Sequence, residues 1–210
     1  MIKAILFDFG GVYSVEAHHN IHIKTSSHTW KDMWRFFQIL LNKKFSYNIL
    51  YSLQEKLDLG EISLKEFYET LFLKIGMKDE KLLIKMTTFK SKKPTIDKEV
   101  KSIVQHLKKK SYLVVLCSNT ISPAAKFNRR EGCYKIFDKI FLSCEIGMGK
   151  QDGKLYKYTL KKINLKPEEC LMVDDSPMFI RTAKELGIKT ILYKRNSGLA
   201  SQMKRFGVSI

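Results

Sequence analysis

Several residues able to do chemistry in this chain follow apolar runs, directly or after a short loop. Asp8 ends one such run and is followed by Phe9, Gly10 and Gly11; Ser118-Asn119-Thr120 follows Leu113 to Cys117; Asp174-Asp175 follows Leu171 to Val173. Lys150 comes after the run Lys139 to Ser143 and the turn Gly147-Met148-Gly149. Three carboxylates in one place repel one another and rise in pKa unless a cation joins them. Oxygen-only donors suit Mg2+, which keeps several waters and often binds substrate phosphate as well. Lys150 adds a positive charge, while the Ser118 hydroxyl and nearby backbone amides add hydrogen-bond donors. A dianionic phosphoryl group fits such a cavity. Asp8 is then the candidate nucleophile, forming an aspartyl-phosphate that water hydrolyses. In-line positioning and charge neutralisation would supply most of the rate. Gly10 and Gly11 allow a tight turn and a close approach of the backbone to metal or phosphate.

Each group alone has a plainer reading. Asp8 can cap a turn, Asp174-Asp175 ahead of Pro177 can be a helix N-terminal pair, Ser118-Asn119 can be a turn, and Lys150 is one of many lysines. Only convergence gives them a joint meaning, so the elements that carry them matter. Residues 2–7 read as a short buried strand. From about residue 95 helical and β-rich segments alternate: a helix with Ile96, Val100, Ile103, Val104 and Leu107 on one face, a strand to Cys117, a helix around Ser122 to Arg130 and a strand from Lys139 to Ser143. A helix from Leu155 to Ile163, a strand from Cys170 to Val173, a helix from Pro177 to Leu186 and a strand from Lys189 to Tyr193 complete the series. Alternation of this kind indicates an α/β fold, a parallel sheet covered by helices, whose carboxyl-end rim is where ligands bind. Residues 1–14 and 95–210 are therefore expected to form one core, interrupted by residues 15–94 as an α-helical cap. Within the cap Trp30, Met33, Trp34, Phe37, Leu40 and Leu41 fall at helical spacing, and Ser63 with Glu66 is a capping box opening a helix that Gly76 closes.

The set Phe7-Asp8-Phe9-Gly10-Gly11-Val12, Leu116-Cys117-Ser118-Asn119, Gly147-Met148-Gly149-Lys150-Gln151-Asp152 and Met172-Val173-Asp174-Asp175-Ser176-Pro177 closely resembles the four ordered motifs of the haloacid dehalogenase superfamily of hydrolases. Residues 60–68 are similar to a stretch common in the helical caps of its dehalogenase-and-phosphatase branch. The resemblance implies a Rossmann-like core with helices on both faces, one Mg2+ and Asp8 as nucleophile. By position it implies that Ser118, Asn119 and Gly11 bind phosphate, that Lys150 neutralises charge, and that Asp8, the Gly10 carbonyl, Asp174 and Asp175 hold the metal. It also implies a Mg2+-dependent phosphatase of a small phosphorylated metabolite. Two positions depart from the pattern. Most phosphatases of the family carry an aspartate, as general acid, where this chain has Gly10; losing such an acid costs ~10² to 10⁴ in rate for a poor leaving group. Gln151 and Gly153 stand where K-P-x-P is common.

Composition bounds the alternatives. The 210 residues, 44% of them hydrophobic, suffice for a core plus an appendage and argue against disorder. No run has the ~18 to 20 apolar residues of a membrane span. Cys117, Cys133, Cys144 and Cys170 show no CxxC spacing, and a reducing cytoplasm is the simplest compartment. The 38 basic against 21 acidic residues give a net charge of +17, which favours anionic partners. The positive residues are scattered, without a basic stripe interleaved with aromatics, so nucleic acid is a possible but not a favoured partner. A catalytically weakened family member that binds nucleic acid or a protein through its basic surface is the alternative reading. His18, His19 and His22 are metal-binding residue types for which the sequence shows no fourth ligand, and they read as part of the cap entrance. Trp30, Trp34, Phe36 and Phe37 read as cap core before a stacking platform for a base.

Overall fold

A computed structural model describes residues 1–15, 47–76, 78–88 and 92–210. The histidines His18, His19 and His22, and the aromatic set from Trp30 to Phe37, lie outside the described residues. Strands β1 (Ala4–Phe7), β2 (Leu113–Ser118), β3 (Lys139–Leu142), β4 (Cys170–Asp174) and β5 (Lys189–Leu192) form one parallel sheet in the order β3-β2-β1-β4-β5. The described helices are α1 (Tyr47–Asp58), α2 (Leu64–Ile75), α3 (Glu80–Thr87), α4 (Lys98–Lys109), α5 (Ser122–Arg130), α6 (Ser143–Ile146), α7 (Lys154–Ile163), α8 (Pro177–Glu185) and α9 (Leu199–Lys204).

β1 lies at the centre, with Ala4 opposite Leu113 and Cys170, and Phe7 opposite Leu116 and Val173. Successive strand side chains point to opposite faces, so an all-apolar strand must be covered on both. Ile5, Phe7, Val114, Leu116, Leu171 and Val173 share one core with Val100, Ile103, Val104 and Leu107 of α4. Ala4, Leu6, Val115, Cys117, Cys170 and Met172 share the other with Leu155, Tyr156 and Leu160 of α7 and Ala183 of α8. The apolar face of α4 follows from its i, i+3, i+4, i+7 spacing, and Asp97 caps it by accepting from the Val100 amide at 3.1 Å. The α/β architecture read from the alternation of segments is the one observed.

Helices α1, α2 and α3 pack around a core of their own, with Leu53, Leu57, Phe67, Tyr68, Leu71, Phe72, Leu82 and Met86 buried. The capping box is present in both directions: Glu66 N–H donates to Ser63 Oγ at 3.1 Å, and Ser63 N–H donates to Glu66 at 2.7 Å. Gly76 closes α2 in a left-handed conformation. Ser143, expected at the end of the third strand, instead opens α6. Its hydroxyl donates to the Asp58 carbonyl at 2.6 Å and accepts from the Thr120 amide at 2.9 Å, ties that the strand pattern does not encode. Among the described residues no helix is long and apolar enough to cross a membrane.

Candidate active site

Parallel strands bring all their carboxyl ends to one rim. Asp8 follows β1, Ser118 ends β2 and Asp174 ends β4, and these strands are immediate neighbours. The Asp8 amide donates to the Val173 carbonyl at 2.9 Å, which sets its side chain beside the end of β4. Lys150 enters from the segment between α6 and α7. Its Nζ donates to Asp8 Oδ1 at 2.8 Å and to Asp174 Oδ2 at 2.6 Å, and lies 4.7 Å from the centre of the Phe179 ring. All three charged groups are buried, with Lys150 and Asp174 at 0% exposure and Asp8 at 3%. Asp174 Oδ1 accepts from the Ser176 amide at 2.9 Å, so its carboxylate is fixed from two sides.

Burial is the largest influence on Asp174 and pushes its carboxyl up; Lys150 opposes this, Asp8 reinforces it, and the group stands at about 6. Burial also acts against the Lys150 ammonium, but Asp174 and Asp8 outweigh it and raise the amine well above the usual lysine value. Carboxylate oxygens of Asp8, Asp174 and Asp175 lie within 4.8 Å of one another. Three carboxylates against one ammonium leave an excess of negative charge that one divalent cation would balance. The donors are oxygens only, so this arrangement fits Mg2+. Gly11 forms part of the same cradle: it has φ +74°, and a Cβ there would overlap the Asp175 carboxylate.

A family model for haloacid dehalogenase-like hydrolases matches residues 2–187. The chain belongs to that family. The superfamily resemblance read from the four motifs is thereby borne out. Among related structures, a HAD family enzyme from Bacteroides thetaiotaomicron, in complex with magnesium and inorganic phosphate, superposes with a TM-score of 0.66 at 22% identity and covers 96% of this chain and 99% of its own, a likeness of fold. Among curated relatives, a sesquiterpene phosphatase from Aspergillus oryzae is 29% identical over 139 residues, 64% of this chain and 68% of that protein. A glyceraldehyde 3-phosphate phosphatase from Methanocaldococcus jannaschii is 41% identical over 63 residues, 30% of this chain and 28% of that one. This chain spans only 10–13% of the length of several longer relatives.

In this haloacid dehalogenase-like chain, the rim unites Asp8, Lys150, Asp174, Asp175 and Gly11. Gly10 lies in the turn after Asp8, bridged to Ser14. The Ser118 hydroxyl donates to the Asn119 carbonyl at 3.3 Å, a long bond. The Asn119 carboxamide is engaged within the protein: Oδ1 accepts from the Lys150 amide and Nδ2 donates to Gln151 Oε1, both at 3.0 Å. Phe179 and Ser143 are neighbours of the site that the sequence did not single out. Phe179 sits on one face of α8 among other core residues, and the Ser143 contacts are made far along the chain. Gly11→Ala tests the cradle. A left-handed conformation costs an ordinary residue about 1–2 kcal/mol, and the added methyl displaces Asp175. Calorimetric titration is expected to show Mg2+ affinity reduced at least tenfold; unchanged affinity would separate Gly11 from the metal cradle.

Proposed function

We propose that the protein is a Mg2+-dependent phosphatase of a small phosphorylated metabolite, working through an aspartyl-phosphate on Asp8. The observation that carries this reading is the buried constellation in which Lys150 bridges Asp8 and Asp174 while Asp175 completes a cluster of three carboxylates. A sesquiterpene phosphatase and a glyceraldehyde 3-phosphate phosphatase among its relatives, and a fold neighbour holding magnesium and phosphate, support it. Asp8, Asp174, Asp175 and the Gly10 carbonyl would hold the cation. When bound, Mg2+ neutralises charge between carboxylates and phosphate and so lets two anions meet.

The remaining chemistry belongs to the chain. Lys150 holds Asp8 Oδ1 and leaves Oδ2 to reach phosphorus. The Asp8 O–P bond forms as the bond from phosphorus to the leaving oxygen breaks. Gly10 has no side chain to give that oxygen a proton, so it takes one from water. Water then attacks the aspartyl-phosphate, releasing inorganic phosphate and regenerating the carboxylate. The Ser118 hydroxyl, the Gly11 backbone and the Lys150 ammonium bind the phosphoryl oxygens, and Asn119 holds the loop that aims Lys150. Helices α1 to α3, as the described part of a cap spanning residues 15–94, would close over the rim, exclude water and select the substrate. The four free cysteines suit a reducing, cytoplasmic setting.

A panel of phosphate esters assayed with Mg2+ and with EDTA tests the reading. Turnover is expected only with Mg2+, with rates falling steeply as the leaving group becomes more basic. No turnover on any ester would overturn it. Metal binding supplies a second test. Asp174, at about 6 without a cation, is protonated below that pH, so Mg2+ must displace a proton there. Apparent Mg2+ affinity is expected to be flat above about pH 7 and to fall up to tenfold per pH unit well below about pH 6. Titration calorimetry across that range showing no loss would contradict the assignment of Asp174.

A further inference from the structure

Gln151 carries a set of contacts that the proposed chemistry does not use. Its Nε2 donates to Glu55 Oε1 of α1 at 2.9 Å, and its Oε1 accepts from Asn119 Nδ2 at 3.0 Å. Asn119 Oδ1 in turn accepts from the backbone amide of Lys150, also at 3.0 Å. Both carboxamides are oriented consistently, each donating with its nitrogen and accepting with its oxygen. The Gln151 side chain folds back over Gly149, where a Cβ would collide with the whole carboxamide. Any residue other than glycine at 149 would thus evict this conformation. In the same last turn of α1, Ser143 joins the helix to the loop that carries Asn119: its hydroxyl donates to the Asp58 carbonyl and accepts from the Thr120 amide.

We propose that Gln151 is a positioning residue: it transmits the placement of α1 through Asn119 to the backbone of Lys150, so that the ammonium is correctly aimed only when the helical insertion is seated on the core. This rests on the phosphatase reading above. An undocked α1 removes the Glu55 partner, frees the Gln151 carboxamide and lets Asn119 release Lys150. A small displacement at that point matters, since misplacing a reacting group by ~1 Å can cost about 10²-fold in rate.

The test exploits the polarity of the bonds. In Gln151→Glu the new carboxylate still accepts from Asn119 but can no longer donate to Glu55 and repels it. Adding Glu55→Gln supplies a donor from the helix, and the network closes again with one bond reversed. On an aryl phosphate, Gln151→Glu is expected to lower kcat about tenfold with KM changed less than threefold, and the double variant to recover most of that loss, a coupling of about tenfold. Hydrogen exchange of the α1 amides, which needs no turnover, is expected to quicken in Gln151→Glu and Gln151→Leu and to be restored in the double variant. Failure of the wild type to hydrolyse any ester would count against the phosphatase reading, and the exchange measurement would then decide the coupling by itself. An active wild type with an unaffected Gln151→Glu, or a double variant no better than the single one in either readout, would overturn the proposal.

Discussion

Asp8→Asn is expected to lower kcat toward an aryl phosphate by roughly 10⁴-fold or more, the scale on which removal of a covalent nucleophile acts. The substitution keeps the shape of the side chain but removes one of the three carboxylate charges of the cluster, the one paired with Lys150. Asn is nearly isosteric, and its carbonyl oxygen can still accept from Lys150 Nζ, which lies 2.8 Å from Asp8 Oδ1. A neutral carboxamide oxygen, however, does not displace an alkoxide or phenoxide from phosphorus. Positioning and electrostatics would remain, so the residual rate should stay above that in water. Steady-state rates in saturating Mg2+, with acid quenching to trap labelled phosphate on the wild-type protein, check both parts. Full activity in the variant would exclude an aspartyl-phosphate on Asp8, whatever else the protein does.

Lys150→Met should have the largest effect on stability. The ammonium is completely buried and paired with Asp8 at 2.8 Å and Asp174 at 2.6 Å. Removing one partner of a buried ion pair leaves the other charge uncompensated, which costs about 3–5 kcal/mol. Asp174, already raised to about 6 by burial, would lose its main stabilising neighbour and rise further. Chemical denaturation in EDTA is expected to show the full loss. Mg2+ should restore more stability to the variant than it adds to the wild type, because it meets three carboxylates with no competing ammonium. Turnover should fall by about 10² to 10³ even in Mg2+, as when one preorganised electrostatic donor is removed. A variant with wild-type stability in EDTA would mean that Lys150 does not offset these carboxylates.

The sequence determined a good deal of this. The apolar strands, the helical spacing of Val100, Ile103, Val104 and Leu107, and the box of Ser63 and Glu66 are local patterns whose period or offset matches one backbone geometry, and each appears where its pattern stands. The convergence of Asp8 and Asp174 was also legible, because parallel strands must deliver their ends to the same rim and these residues stand at those ends, whereas Lys150 reaches them from the segment beyond α6. What tertiary structure decided is how those groups are held. Nothing in the spacing says that the Asn119 carboxamide is used up on Lys150 and Gln151, that Ser143 leaves its strand to join Asp58, or that Gly149 makes room for a folded glutamine. Those bonds link residues distant in the chain through a single atom each, and one hydrogen bond leaves no periodic trace; burial and repetition do, which is why the sheet could be read from the sequence and the network beside it could not.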